Sequence, residues 1–182
     1  MKYKTNDSVV DIDVLNGTVN KVFLHPKDHL DADWLNNYKK FKLLYDCVPE
    51  VYEADSHSIT MEYISGLDIC QWLKTKHYTV KNVNFVIYEV MNLINSFAEY
   101  SRGSNLFFYH HDLNPTNILV DEKDRVILIE PDEIFLSKSS KDRYLGSCSI
   151  LLQHIQTHMD EQKYKYKGDR MSIKLRSKQL TR

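Results

Sequence analysis

One stretch holds acid, base and amide groups at a spacing suited to chemistry: Phe108-Tyr109-His110-His111-Asp112-Leu113-Asn114-Pro115-Thr116-Asn117-Ile118-Leu119-Val120. Apolar runs, Asn105-Leu106-Phe107-Phe108 before it and Ile118-Leu119-Val120 after it, read as a strand end and a second strand anchoring a polar loop. Within the loop, His110-x-Asp112-Leu113-x-x-x-Asn117 sets a carboxylate five residues ahead of an amide. A carboxylate at the apex can orient or deprotonate an attacking hydroxyl. An amide oxygen at Asn117 can coordinate a magnesium ion that neutralises phosphates. A different chemistry is open to the same residues: His110, His111 and Asp112 could hold a transition metal for hydrolysis.

The flanking chain must position this loop. Residues 8–15 alternate Val10, Ile12 and Val14 with acidic residues and read as a half-buried strand. Asn16-Gly17 predicts a type I′ hairpin turn. Residues 18–24 return with Val19, Lys21 and Phe23 on one face. A helix is expected over 31–45, capped by Asp31 or Asp33, with Trp34, Tyr38, Phe41 and Leu44 at three- and four-residue spacing. Two more strands follow over 49–54 and 58–64, then a short helix over 67–73. A long helix over 81–100 carries Val83, Val86, Ile87, Val90, Ile94, Phe97 and Ala98 as its apolar stripe. Beyond the polar loop, residues 117–120 and 125–129 form a hairpin that ends in Glu130-Pro131-Asp132-Glu133. A last helix is expected over 140–160, burying Tyr144, Cys148, Leu151, Leu152 and Ile155. His154 and His158 stand four apart on its other flank; with no third ligand they read as solvated.

Composition narrows the class. The 182 residues suit one domain, and 42% hydrophobic with 12% aromatic residues suffice for a folded core. Cys47, Cys70 and Cys148 are odd in number and show no paired spacing, which argues against a disulfide framework or zinc cluster. No apolar segment follows Met1-Lys2-Tyr3-Lys4, and none approaches the ~20 residues that span a bilayer. A soluble, cytoplasmic protein without a membrane span is expected. Residues 163–182 carry eight Lys/Arg and one Asp, so the net charge of −1 is a basic end of +7 set against a body of −8. That end lacks interleaved aromatic motifs and reads as a solvated tail rather than a nucleic-acid surface.

The loop resembles that of the protein-kinase-like superfamily. With Pro115 and a residue other than Arg at 111, it is most similar to the aminoglycoside- and choline-kinase-like branch. The resemblance implies an α+β, reduced two-lobed protein-kinase-like fold. A small antiparallel sheet with one helix would occupy 1–64, and a mainly helical lobe 65–160, with the catalytic loop at 109–120. A basic tail, partly disordered, would occupy 161–182. It implies Asp112 as the catalytic carboxylate and Asn117 as a metal ligand. Glu130 falls thirteen residues past Asn117, where the family places a magnesium-chelating Asp; Asp132 is its neighbour, and both are expected at the metal site. Val19-Asn20-Lys21 compares with the strand whose lysine holds the phosphates. Met61-Glu62-Tyr63-Ile64-Ser65-Gly66 resembles a hinge, with the Glu62 carbonyl and Ile64 amide against the adenine edge and Met61 guarding the pocket. The family's helix supplies a Glu to the lysine; here Asn36 or Asn37 stands in that place and would hold Lys21 less firmly. No G-x-G-x-x-G covers the phosphates, and the peptide-docking helices of protein kinases have no counterpart.

Three functions follow. The first is an ATP- or GTP-dependent, magnesium-assisted phosphotransferase acting on a small hydroxylated acceptor rather than a protein. The second is a pseudokinase, a nucleotide-binding module that works through a protein partner. The third is the metal-dependent hydrolase built on His110, His111 and Asp112.

Overall fold

The computed structural model describes residues 1–76, 79–104 and 106–137. The helix expected over 140–160 and the basic tail lie outside the described residues.

Strands β1 (Lys2–Lys4), β2 (Ser8–Asp13), β3 (Thr18–Phe23), β4 (Val51–Ala54) and β5 (Ser58–Glu62) build one antiparallel sheet in the order β1-β2-β3-β5-β4. The period-2 pattern holds through β3, where Val19, Lys21 and Phe23 are buried and Asn20 and Val22 exposed. The β2–β3 connection differs from the type I′ expectation. Asp13 pairs with Thr18, which leaves a four-residue loop, and only Gly17 takes positive φ, at 65°. Asp13 supplies the reason: its carboxylate accepts the Leu15 and Asn16 amides at 3.1 Å and so holds a wider loop. β1 escaped the sequence reading because its side chains are all exposed, leaving no apolar alternation to see.

Helix α1 (Ala32–Leu44) starts where expected, with the Asp31 carboxylate accepting the Trp34 amide at 2.7 Å. Trp34, Tyr38 and Phe41 are buried, but Leu44 is 67% exposed. The chain leaves the helix at Tyr45, whose ring packs 5.1 Å from Phe41 and covers it in place of Leu44.

In the second half, α2 (Ile69–Thr75) and α3 (Val80–Ser104) accompany two small sheets. One orders β6 (Gly66–Asp68), β8 (Ile118–Asp121) and β9 (Val126–Leu128) side by side; the other pairs β7 (Phe107–His110) with β10 (Ile134–Ser137). The short helix expected from residue 67 thus begins two residues later, because Asp68 caps it by accepting the Cys70 and Gln71 amides. Gly66 lets β6 lie close to β8: a Cβ there would stand 2.7 Å from the Val120 carbonyl oxygen. α3 buries the expected Val83, Val86, Val90, Ile94 and Phe97 and continues to Ser104.

An aromatic cluster joins the halves. Phe41 of α1 lies 4.6 Å from Phe97 of α3 and 4.8 Å from Phe108 of β7, ring centre to ring centre. Trp34 Nε1 donates to the Ile134 carbonyl at 2.7 Å, and the Leu128 amide to the Cys47 carbonyl at 2.9 Å. Together the antiparallel sheet with its helix and the helical segment that follows make the α+β architecture that the resemblance implies. Among the described residues no helix is long and apolar enough to cross a membrane.

Candidate active site

The two strands flanking the polar loop lie in different sheets, β7 beside β10 and β8 between β6 and β9, so the loop bridges two layers. Its bend is built locally. Leu113 and Pro115 are buried anchors. The Asn114 carboxamide oxygen accepts the Thr116 amide at 2.9 Å, and the Asn117 amide donates to the Asn114 carbonyl at 3.1 Å, closing a single 3₁₀ turn with proline at its start. That turn aims Asn117 back at Asp112. Its Nδ2 donates to the Asp112 carbonyl at 2.9 Å and to the Asp112 carboxylate at 3.0 Å. Both contacts use the amide nitrogen, so Oδ1, the atom that can ligate a cation, is uncommitted among the described residues.

His110 stitches the loop to the acidic turn. Its Nε2 lies 3.1 Å from the Ile129 carbonyl and 3.0 Å from that of Glu130, so this nitrogen carries the proton and is shared between them. Burial pushes the imidazole pKa below its ordinary value, which keeps the ring neutral. Its Nδ1 is buried without a partner among the described residues. Two further bonds fasten the same junction: the His111 amide to the Glu133 carbonyl at 2.7 Å and the Ile129 amide to the Asn117 carbonyl at 2.8 Å. With Nε2 committed to backbone carbonyls, Nδ1 is the ring nitrogen of His110 left for the metal that the hydrolase reading requires. Among the described residues no three His, Cys, Asp or Glu gather as a metal-binding group.

The acidic turn is bonded across the molecule to β3. Glu130 takes a left-handed backbone conformation, φ 63° and ψ 56°, unusual for a side chain of its size. Lys21 Nζ lies 2.5 Å from the Glu130 carboxylate and 2.9 Å from that of Asp132. Burial opposes the lysine charge, but the two carboxylates outweigh it and raise its pKa above that of an ordinary lysine. Asp132 is fully buried and shares its Oδ2 with Lys27, at 2.7 Å. Burial alone would raise its pKa, yet Lys21 and Lys27 hold it below the ordinary carboxylate range. Glu130 goes the other way: desolvation dominates and raises its pKa. Lys27 also meets Glu133 at 2.6 Å, and His29 Nε2 donates to the Asp132 carbonyl at 2.9 Å.

Among the described residues the side-chain partners of Lys21 are Glu130 and Asp132, not Asn36 or Asn37. The Asn37 carboxamide accepts from the Tyr100 hydroxyl at 3.1 Å and donates to the Asp33 carbonyl at 2.8 Å, facing α3. The lysine is therefore firmly held, by carboxylates 109 and 111 residues away. Lys27 and His29 carried no sequence signal, because they sit in a loop of no recognisable pattern. Along β5, Ile59 faces Lys21 and Met61 faces Val19, which sets Met61 and Lys21 on one buried face of the sheet. Glu62 is held at its amide and its carboxylate by Glu50, at 2.8 and 3.0 Å. The Ile64 amide, one residue beyond the Tyr63–Gly17 bond, takes no acceptor among the described residues.

A buried sheet lysine, a carboxylate–amide pair on a tight loop and an acidic turn between them define a protein-kinase-like chain. Within that class, residues 31–157 match the model of the ABC1 atypical kinase-like domain, and the chain belongs to that family. Similar solved structures include WbdD in complex with the kinase inhibitor LY294002, with a TM-score of 0.53 at 17% identity, covering 84% of this chain and 36% of WbdD. The PknI kinase domain of Mycobacterium tuberculosis is also similar, with a TM-score of 0.45 at 20% identity, covering 71% of this chain and 56% of that one. This chain thus spans just over a third of WbdD and just over half of the PknI chain. No curated protein matches the sequence.

Proposed function

We propose that this kinase-like chain is a magnesium-assisted phosphotransferase that takes ATP or GTP and phosphorylates a hydroxyl of a small molecule. The observation that carries the reading is the Asn117–Asp112 contact at 3.0 Å, which steadies a carboxylate at the loop apex while leaving the amide oxygen uncommitted. Asp112 orients the acceptor hydroxyl and accepts its proton. Lys21 faces the phosphates, and the nucleotide lies between residues 1–64 and 65–137 with its base against 61–64.

The donor set fits magnesium. Asn117 Oδ1 and the Glu130 carboxylate are hard oxygen ligands, and the Glu130 side chain keeps 35% of its surface exposed. Magnesium held there would neutralise charge on the transferring phosphoryl group. We set this in the cytoplasm, where nucleoside triphosphates are abundant.

Glu130 in place of Asp, the missing glycine-rich loop and a lysine already bonded to two carboxylates favour a second reading. In it the chain binds nucleotide without turnover and acts through a protein partner. One experiment separates the two. Thermal stability is measured with ATP or GTP, with and without magnesium, and release or transfer of the γ-phosphate is then followed. Magnesium-dependent stabilisation plus turnover abolished by Asp112→Ala supports the phosphotransferase. Stabilisation without turnover, unchanged by Asp112→Ala, favours the module, and no stabilisation by either nucleotide overturns both.

A further inference from the structure

Resting on that reading, we infer that Asp132 is the positioning residue of Lys21, doing the work that a helix carboxylate would otherwise do, and that Glu130 is the exchangeable partner. The two carboxylates bonded to Lys21 differ in kind. Asp132 has no exposed side-chain surface, whereas Glu130 keeps about a third of its own. Asp132 is also pinned from other directions: Lys27 grips the same Oδ2 at 2.7 Å, and His29 holds its carbonyl at 2.9 Å. His29 is in turn fixed by stacking on Phe135, 3.9 Å between ring centres. Nothing comparable pins the Glu130 carboxylate, for which Lys21 is the one recorded side-chain partner among the described residues.

The one carboxylate of α1, Asp33, is exposed in the helix's first turn, and Asn37 is spent on Tyr100 and the Asp33 carbonyl. The lysine's fixed counter-charge therefore comes from the turn that also carries the candidate metal ligand. When Glu130 turns toward a cation, Lys21 stays on Asp132 and its Nζ gains a free direction for phosphate oxygens. Charge is conserved in that exchange, because one carboxylate leaves the lysine as the phosphates arrive.

The test follows Lys21 itself, so it stands apart from whether nucleotide binds. In the full chain, acylation of Lys21 by an amine-directed reagent is timed by mass spectrometry for wild type, Asp132→Asn and Glu130→Gln. Acylation needs an amine free of its buried carboxylate contact, so losing the fixed partner should speed it by about tenfold or more, the scale of one lost charged hydrogen bond. Glu130→Gln should change it by less than about threefold. If Asp132→Asn does not fold, Glu130→Gln decides: protection retained supports the assignment. Equal deprotection by both variants, or deprotection by Glu130→Gln alone, overturns it. Nucleotide affinity supplies the second readout. Asp132→Asn should weaken binding to the same degree with and without magnesium, whereas Glu130→Gln should abolish only the magnesium enhancement. Loss confined to the magnesium-dependent part in Asp132→Asn would make Asp132 a metal ligand and overturn its positioning role. A wild type that binds no nucleotide would instead remove the proposed function, while the acylation result still judges the lysine's anchor.

Discussion

Asn117 Nδ2 bonds to the Asp112 carboxylate at 3.0 Å, across a bend closed by Pro115 and by the Asn114 side chain. A short polar loop left to itself would sample many arrangements of these two groups. Here the 3₁₀ turn and the Asp112 carbonyl, bonded to the same amide nitrogen at 2.9 Å, reduce them to one.

Asp112→Asn keeps the side-chain shape and removes the base. γ-Phosphate transfer should fall by about 10²–10⁴-fold, the usual range for losing a general base. Nucleotide-dependent thermal stabilisation should be unchanged. Single-turnover kinetics with labelled ATP, beside a melting curve, checks both.

Replacing Asn117 by Ala removes the tether and the uncommitted Oδ1 together. Magnesium titrations monitored by nucleotide affinity should lose their enhancement in Asn117→Ala. The magnesium-free affinity should stay near wild type, because among the described residues neither Lys21 nor residues 61–64 share a hydrogen bond with Asn117.

Gly66→Ala would drive a Cβ to 2.7 Å from the Val120 carbonyl oxygen and 3.1 Å from its carbon. Backbone cannot step aside as a side-chain tip can, so β6 must move off β8. A loss of about 1–3 kcal/mol is expected, in the range for overpacking a tight site. Chemical denaturation measures it. Because β8 follows Asn117 directly, turnover should drop as well.

Trp34→Phe keeps the aromatic body of α1 and deletes the Nε1 donor, stranding the Ile134 carbonyl inside the protein. The expected cost is about 1–3 kcal/mol. A variant as stable as wild type in urea titration would show that this carbonyl finds another donor.

Stability should depend on pH in two separate windows. His110 has a folded pKa depressed below its ordinary 6.5, so the unfolded chain binds its proton first. Its contribution is complete above about 6.5 and is lost as pH falls toward the folded value. Asp132, also depressed, contributes above the ordinary aspartate value of 3.8 and loses that contribution as pH falls through its folded pKa. Glu130, raised by burial, opposes Asp132 in the carboxylate range, so the acid limb should be shallower than Asp132 alone implies. Melting temperature against pH for wild type and His110→Gln checks the upper window: the variant should be less steep below about 6.5, the remaining slope coming from His29, whose pKa burial also lowers.

The sequence by itself determined the elements whose signals are local. The Asp31 cap, the stripe of α3 and the period-2 burial of Val19, Lys21 and Phe23 each follow from side chains within a turn or two of one another. The spacing of His110, Asp112 and Asn117 belongs to the same class, because a tight bend couples residues five apart. Tertiary structure alone decided who neutralises Lys21. Its partners lie more than a hundred residues away, and nothing in the local pattern of Glu130-Pro131-Asp132-Glu133 separates a half-buried carboxylate from a fully buried one. Lys27, His29 and the pairing of β7 with β10 were equally invisible. Each depends on burial and charge balance, which exist only once the two halves have closed on each other.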